Sequence, residues 1–131
     1  MKYEKSCGAI IFKENKVLII KQKSGIYGFP KGHVENNETE RITAIRETKE
    51  ETNIDIEINE NLRFSISYLI NENIKKDVVY FVGYPKNNDI KIQAEELISA
   101  EWLPIKEVEN ILSFDNLKEL WRKVLEEISK K

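Results

Sequence analysis

The chain has 131 residues, which fits one domain, residues 1–131, with a sizeable buried core. Hydrophobic residues make up 40% of it and charged residues 34%, a balance that excludes a disordered chain. The formal net charge is −2, so no global positive field attracts polyanions. Any affinity for phosphate must therefore come from a bound metal ion and a few well-placed lysines.

The single cysteine, Cys7, lies in an apolar run and predicts a buried, reduced thiol. One cysteine cannot form a disulfide within the chain, which suits the reducing cytoplasm. The apolar run at residues 7–12 is too short for a signal peptide or a membrane span. We therefore expect a cytoplasmic location and no membrane partner.

Apolar runs and period-two alternation predict the strands, and helical periodicity predicts the helices. The strands are expected at residues 5–12, 17–22, 54–58, 62–70, 78–84, 89–93 and 100–103, with residues 71–76 as the turn of a long hairpin. The helices are expected at about residues 39–52, from Pro104 onward, and at about residues 116–129. Strands with helices outside them predict the α/β class, as an α/β/α sandwich around a mixed β-sheet.

A carboxylate cluster lies on the first predicted helix. Glu47, Glu50 and Glu51 are three and four residues apart, so they share one helical face. Like charges repel at this spacing, whereas a divalent cation such as Mg²⁺ or Mn²⁺ requires clustered oxygen ligands. Arg46 adjoins the cluster and is expected to orient or neutralise Glu47. The alternative is a solvated acidic face on a charge-rich helix.

The residues before and along this helix follow a longer pattern. It reads Gly32-x5-Glu38-x7-Arg46-Glu47-x-x-Glu50-Glu51-x-Asn53-Ile54. This pattern resembles the Nudix box, the loop–helix–loop signature of Nudix hydrolases, and so implies the Nudix fold. Thr48 stands where that family prefers a larger aliphatic residue, and Asn53 replaces the closing glycine. Asparagine tolerates the left-handed conformation that ends a helix, so the second departure is mild.

Two further segments resemble the asymmetrically cleaving diadenosine tetraphosphate hydrolases of this family. They are YGFPKGHVE at residues 27–35 and SCGAIIF at residues 6–12. The resemblance implies that Lys31 and His33 face the polyphosphate and that Tyr80 stacks on a nucleobase. Tyr27, the first residue of the longer segment, is taken as a further substrate contact. A core position in its strand is the alternative for Tyr80.

The same resemblance implies which groups hold the metal. They are the three box glutamates, with the main-chain carbonyl of Lys31 as a further donor. Arg46 and His33 are expected to complete the catalytic set. The general base is either Glu47 or a glutamate from a later loop.

The later loop offers one more metal ligand. Glu96 is favoured because it lies six residues before Trp102, as in the diadenosine tetraphosphate hydrolases, and Glu95 beside it is the alternative. Lys76 and Lys75, at the predicted hairpin turn, are expected within reach of terminal phosphates. Solvated surface residues are the alternative for all four.

The leading function is Mg²⁺-dependent hydrolysis of diadenosine tetraphosphate to ATP and AMP, with a small-molecule nucleotide as the partner. The second alternative is a Nudix hydrolase with the same chemistry but a different substrate, either (d)NTPs or triphosphorylated RNA 5′ ends. RNA would need a basic track, and the net acidity argues against nucleic acid. A non-catalytic nucleotide sensor is the third alternative, although such relatives usually lose box carboxylates. A monomer or a weak dimer is expected.

Overall fold

The fold is described from a computed structural model, which describes residues 1–130. Within that range the chain forms seven strands and three helices. The strands are β1 (Lys2–Lys13), β2 (Lys16–Gln22), β3 (Tyr27–Gly28), β4 (Lys31–His33), β5 (Ile56–Asn71), β6 (Ile74–Pro85) and β7 (Leu97–Pro104). The helices are α1 (Glu40–Thr52), α2 (Ile105–Ile111) and α3 (Asp115–Ser129).

The strands form one mixed sheet in the order β3-β2-β1-β6-β5, with β4 paired to β1 and β7 paired to β2. β1 and β6 run parallel, with Ser6 opposite Val78, whereas the other pairs are antiparallel. β1 meets β2 at Phe12 and Lys13, and it meets β4 at residues 6–8. The short strand that leads into α1 is thereby held beside the first half of β1.

Helices cover both faces of the sheet. On one face α2 and α3 pack their apolar side chains, including Trp121, onto alternate residues of β1 and β6 such as Ile10 and Tyr80. On the other face α1 packs through Ala44 against the intervening residues, including Val79. This arrangement confirms the predicted α/β/α sandwich around a mixed sheet.

The central hairpin is longer than predicted. Residues 54–58 and 62–70 were expected as two strands, but one continuous strand, β5, runs through both regions with a register shift between Asn59 and Arg63. The predicted turn at residues 71–76 shrinks to residues 72 and 73, because pairing continues through Leu69–Lys75 and Tyr68–Lys76. Lys76 is therefore a strand residue and not a turn residue.

The strand predicted at residues 89–93 is wrong. Lys91 N–H donates to the Thr52 carbonyl and Gln93 N–H donates to the Glu51 carbonyl, each at 3.0 Å. These backbone donors satisfy the last turn of α1 and do not join a sheet. The segment alternates in polarity because one side of it lies on the helix end, which the sequence cannot distinguish from a sheet face.

Both ends of α1 are capped. Thr39 Oγ1 accepts a hydrogen bond from Ile42 N–H at 3.2 Å. Asn53 ends the helix with φ 66°, the left-handed conformation that its place in the box predicts. Its side-chain amide also donates to the Asp89 carbonyl at 2.8 Å, so it fixes the segment that follows β6.

The buried face of α1 is largely polar. Ile42 is 48% exposed, because it lies about 200° around the helix from the buried Ala44. Thr43, Thr48 and Glu51 make up much of the buried face instead. Packing against the sheet therefore forces one box carboxylate into the protein interior.

The lone cysteine, Cys7, is buried in β1 as predicted, and burial raises the pKa of its thiol to about 11. No helix among residues 1–130 is both long enough and apolar enough to cross a bilayer.

Candidate active site

A polar cleft of about 560 Å³ lies beside α1 and β4. Its acidic lining is Glu35, Glu47, Glu50, Glu51, Glu95 and Glu96. Its other polar lining includes Ser6, Lys31, His33 and Lys76. One cleft therefore holds every box glutamate of α1, both acids of the late loop, His33, and two of the three lysines predicted to reach phosphates, since Lys75 does not line it.

Glu51 is the most buried box carboxylate, with 6% of its surface exposed. Its Oε1 accepts a hydrogen bond from Lys31 N–H at 3.0 Å, which joins α1 to β4. Burial is the main reason that the pKa of Glu51 is raised to about 8, and the charges of Glu47 and Glu96 act in the same direction. The charged form is therefore costly at neutral pH unless a cation offsets it.

Glu47 lies directly against Gly32. A Cβ built on Gly32 would lie 1.9 Å from the carboxyl carbon of Glu47, so a glycine leaves the room that this carboxylate occupies. Burial raises the pKa of Glu47 to about 7, with the charge of Glu50 adding to the effect and Arg46 opposing it. Two neighbouring box carboxylates thus hold protons more tightly than ordinary glutamates, which is typical of functional sites.

Arg46 binds Glu38 most closely, and it also lies within ion-pair distance of Glu47, the partner predicted for it. Its Nε donates to Glu38 Oε2 at 2.7 Å and its Nη2 donates to Glu38 Oε1 at 2.9 Å, a two-pronged pair. Its distance to Glu47 Oε2 is 3.4 Å. These hydrogen bonds from Arg46 lower the pKa of Glu38 to about 2. Arg46 also donates to the His33 carbonyl at 2.9 Å, so it holds the end of β4 to the helix.

Glu50 is turned toward Arg46, whose Nη1 donates to both of its carboxylate oxygens at 3.1 Å. Among residues 1–130, no three acidic, histidine or cysteine side chains already converge at metal-binding spacing. The donor chemistry nevertheless fits a hard divalent cation, because carboxylate oxygens crowd one cleft and two of them have raised pKa values. The box glutamates could hold Mg²⁺ or Mn²⁺ once Glu50 exchanges its arginine partner for the ion.

The late-loop acids both line the cleft and are both exposed. The Glu96 carbonyl accepts a hydrogen bond from Lys23 N–H at 3.0 Å, which ties this loop to the end of β2. Glu96 is also among the charges that raise the pKa of Glu51. The positions of Glu95 and Glu96 are both compatible with a metal ligand. The effect of Glu96 on the pKa of Glu51 favours Glu96.

Lys76 is 8% exposed and lies inside β6, facing the cleft. Burial lowers the pKa of its ammonium, and the nearby charge of Lys31 lowers it further. Neither lysine forms an ion pair with an acid of residues 1–130. Two cations that repel each other and have no acidic partner make a site suited to an anion.

His33 and Tyr27 differ in where they lie. His33 is exposed at the end of β4 and lines the cleft, so its position fits the prediction. Tyr27 does not line the cleft. It packs against the core beneath α3, with Lys21 Nζ 5.2 Å from its ring centroid. Its position does not support the predicted substrate contact.

Tyr80 is 1% exposed and meets the ring of Phe29 edge to face, with 5.6 Å between ring centroids. Its faces are packed, so the predicted stacking on a nucleobase does not fit, and the core alternative does. It contributes to the wall of a second, mainly apolar pocket of about 380 Å³. That pocket is also lined by Gln22, Ile26, Phe29, Lys31, Ile66, Tyr68, Val78, Phe114, Asn116 and Leu117.

The exposed aromatic rings of this pocket are Tyr68 and Phe114, which are 37% and 49% exposed. Sequence reasoning missed both. Phe114 had a usable signal, since it is an aromatic residue in the short link between two helices. Lys31 and Gln22 line both the cleft and this pocket, so the two spaces adjoin.

Comparison with known proteins identifies the class to which this fold and cleft belong. The NUDIX domain family model matches residues 2–127, so the chain belongs to the Nudix family. The proteins of that family generally use divalent metal cations and act on small nucleotides. The predicted family and fold are thus confirmed.

Relatives within the family carry more specific names. The bis(5′-nucleosyl)-tetraphosphatase (asymmetrical) of Sus scrofa is 31% identical over 130 residues, covering 87% of this chain and 88% of that protein. Nudix hydrolase 2 of Arabidopsis thaliana is 32% identical over 112 residues, covering 79% of this chain and 40% of that protein. A C. elegans Ap4A hydrolase solved as a binary complex superposes with a TM-score of 0.87 at 25% identity, covering 98% of this chain and 99% of that one.

Proposed function

We propose that this protein hydrolyses diadenosine tetraphosphate asymmetrically, giving ATP and AMP. The observation that carries the proposal is the junction of the carboxylate cleft with the apolar pocket at Lys31 and Gln22. A dinucleoside polyphosphate needs a place for charged phosphates directly beside a place for a flat base. The relatives named as asymmetrical tetraphosphatases and as Ap4A hydrolase support the same substrate.

The acidic end of the cleft is proposed to act on the scissile phosphate. A Mg²⁺ or Mn²⁺ ion held by Glu50, Glu51 and either Glu47 or a late-loop glutamate would neutralise phosphate charge and lower the pKa of a water molecule. Whichever of Glu47 and the late-loop glutamate does not hold the ion would accept a proton from the attacking water. Arg46 acts through its neighbours, since it holds Glu38 and the end of β4 in place.

The cationic part of the cleft is proposed to hold the remaining phosphates. Lys31 and Lys76 have no acidic partner among residues 1–130, so a phosphate group would satisfy both. His33 adds an exposed imidazole at the rim. Tyr68 and Phe114, and not Tyr80, present ring surface to a base in the adjoining pocket.

The decisive experiment is product analysis. The protein is incubated with Mg²⁺ and, separately, diadenosine tetraphosphate, dNTPs and triphosphorylated RNA, in water enriched in ¹⁸O. We expect diadenosine tetraphosphate to be preferred, with ATP and AMP as products and the label in only one of them. Two molecules of ADP would contradict the asymmetric cut. A preference for dNTPs or RNA would mean that the proposed substrate is wrong, whereas the family assignment would stand.

A further inference from the structure

Ser6 is a buried hydroxyl without a hydrogen-bond partner. Its residue is 0% exposed, and its Oγ has no protein partner among residues 1–130. An unpartnered buried hydroxyl costs free energy, and alanine would fill the same space without that cost. Ser6 is nevertheless one of the residues that line the carboxylate cleft. A role in binding would explain its presence there.

Ser6 lies close to two cations, Lys76 and Lys31, and Glu4 is paired opposite Lys76 on the same face of the sheet. Ser6 is opposite Val78 in the parallel pairing of β1 and β6, and Lys76 lies two residues before Val78. Side chains two apart on a strand share a face, so Ser6 and Lys76 point to the same side of the sheet. On the other flank β4 pairs with β1 from His33 opposite Ser6 to Lys31 opposite Gly8. The hydroxyl thus lies between Lys76 and the strand that carries Lys31.

The side chains of Lys76, Lys31 and Ser6 are hydrogen-bond donors, and no protein acceptor in the described part of the chain is hydrogen-bonded to them. Lys76 is 8% exposed and, like Lys31, is not ion-paired within residues 1–130. Two ammonium groups and one hydroxyl can all donate to the same oxyanion. A carboxylate ligand is disfavoured by the glutamates of the same cleft, whereas a phosphate chain also meets the acidic end through a metal ion.

We propose that Ser6 Oγ donates a hydrogen bond to a phosphate oxygen of the bound polyphosphate, in a subsite shared with Lys76 and Lys31. The inference rests on the proposed function and adds a binding residue to that site. Ser6 holds a phosphate that is not being cleaved, since it lies on the side of the cleft that carries the lysines. Ser6 binds the substrate directly and takes no part in proton transfer.

The test is the variant Ser6→Ala, which removes the hydroxyl alone. Binding of inorganic tripolyphosphate and of adenosine is measured by isothermal titration calorimetry with Mg²⁺ present. We expect tripolyphosphate to bind about tenfold more weakly, the effect of one hydrogen bond to a charged group, and adenosine to bind unchanged. The Tm should stay equal or rise, because an unsatisfied buried group is gone. Equal tripolyphosphate affinity in both proteins overturns the proposal.

Thr48→Val is the matched control. Thr48 Oγ1 is likewise buried and unpartnered among residues 1–130, but it does not line the cleft. Its replacement by valine should raise or preserve the Tm and leave tripolyphosphate affinity unchanged. An equal loss of affinity in both variants would mean that the loss of any buried hydroxyl disturbs the site, and that Ser6 forms no hydrogen bond to phosphate. That result would overturn the proposal.

Turnover of diadenosine tetraphosphate distinguishes an error in the Ser6 subsite from an error in the proposed substrate. If Ser6→Ala forms ATP and AMP with an unchanged KM, the proposed function stands and the Ser6 subsite is wrong. If Ser6→Ala loses tripolyphosphate affinity while the wild type does not hydrolyse diadenosine tetraphosphate, the subsite stands and the substrate assignment is wrong.

Discussion

The carboxylate of Glu47 occupies the space where a side chain on Gly32 would begin. A Cβ at Gly32 would lie 1.9 Å from both the carboxyl carbon and Oε2 of Glu47. The glycine of the box is therefore required by a side chain fifteen residues further along the chain. The atom that would clash is the end of a flexible side chain, so Glu47 can move away at little cost in stability.

Gly32→Ala should consequently separate activity from stability. We expect kcat to fall about 100-fold, because a displacement of a catalytic group by about 1 Å costs that much. The Tm should change little, since Glu47 can rotate into the cleft. Steady-state kinetics and differential scanning fluorimetry on the same preparation check both expectations.

Gly8→Ala is the informative contrast to Gly32→Ala. A Cβ at Gly8 would lie 2.0 Å from the Pro30 carbonyl oxygen, which is backbone and cannot rotate away. We expect a clear loss of Tm in this variant. A loss of similar size in Gly32→Ala would contradict the view that Glu47 alone needs that glycine.

The buried Glu51 should make stability depend on pH. Its pKa is raised from 4.5 to about 8 on folding, so the folded state holds its proton where the unfolded state has lost it. Between these values the free energy of unfolding of the metal-free protein should fall as pH rises, by at most about 1.4 kcal/mol per pH unit for one group. Thermal melts in EDTA from pH 5 to pH 8.5 measure this slope.

Two controls test the source of that slope. Glu51→Gln should reduce the slope only in part. A smaller slope should remain from Glu47, because its raised pKa of about 7 acts in the same direction. Mg²⁺ should raise the Tm more at pH 8 than at pH 6, because metal ligands must be deprotonated. The acids Glu38 and Glu40, with pKa values near 2, affect stability only at lower pH. A slope that Glu51→Gln leaves unchanged would contradict the assignment.

The sequence predicts those parts of the site that depend on local spacing. The face shared by Glu47, Glu50 and Glu51 follows from helical geometry, and the left-handed Asn53 follows from its place at the helix end. The pairing of Arg46 with Glu38 could not be predicted, because Glu38 reaches it only through the fold of the preceding loop. Long-range contacts of this kind leave no periodic signal.

Aromatic residues show the same limit. Tyr80 and Tyr68 both lie on the central hairpin and line the apolar pocket, and which of them exposes its ring there depends on how α3 packs over the sheet. Alternation along β6 places Tyr80 beside core residues, whereas the outer half of β5 is left uncovered around Tyr68. Strand assignment alone does not decide between these two environments.

Asn53 should tolerate glycine better than alanine. Its φ of 66° favours glycine by up to about 1 kcal/mol, but Asn53→Gly also loses the hydrogen bond to the Asp89 carbonyl, worth about as much. We therefore expect Asn53→Gly to be nearly neutral. Asn53→Ala, which loses the hydrogen bond and strains the backbone, should cost about 1–2 kcal/mol. Urea denaturation gives both values, and equal losses would contradict the role of the left-handed conformation.

The last prediction concerns the base pocket. Tyr68 and Phe114 expose ring surface beside the cleft, and stacking of a base on an aromatic ring contributes about 1–3 kcal/mol. Tyr68→Ala and Phe114→Ala should each raise the KM for diadenosine tetraphosphate at least about fivefold, with kcat changed much less. Tyr80→Phe should leave KM unchanged, because the ring of Tyr80 is packed in the core.

A matched control is Tyr84→Ala, since Tyr84 is 47% exposed but lines neither the cleft nor the apolar pocket. It should leave KM unchanged. Tripolyphosphate binding provides a second control, because it has no base and should be the same in Tyr68→Ala, Phe114→Ala and the wild type. If the KM for diadenosine tetraphosphate rises no more in the pocket variants than in Tyr84→Ala, the base binds elsewhere. The phosphate part of the site would then have to carry the affinity through Lys31, Lys76 and the box glutamates.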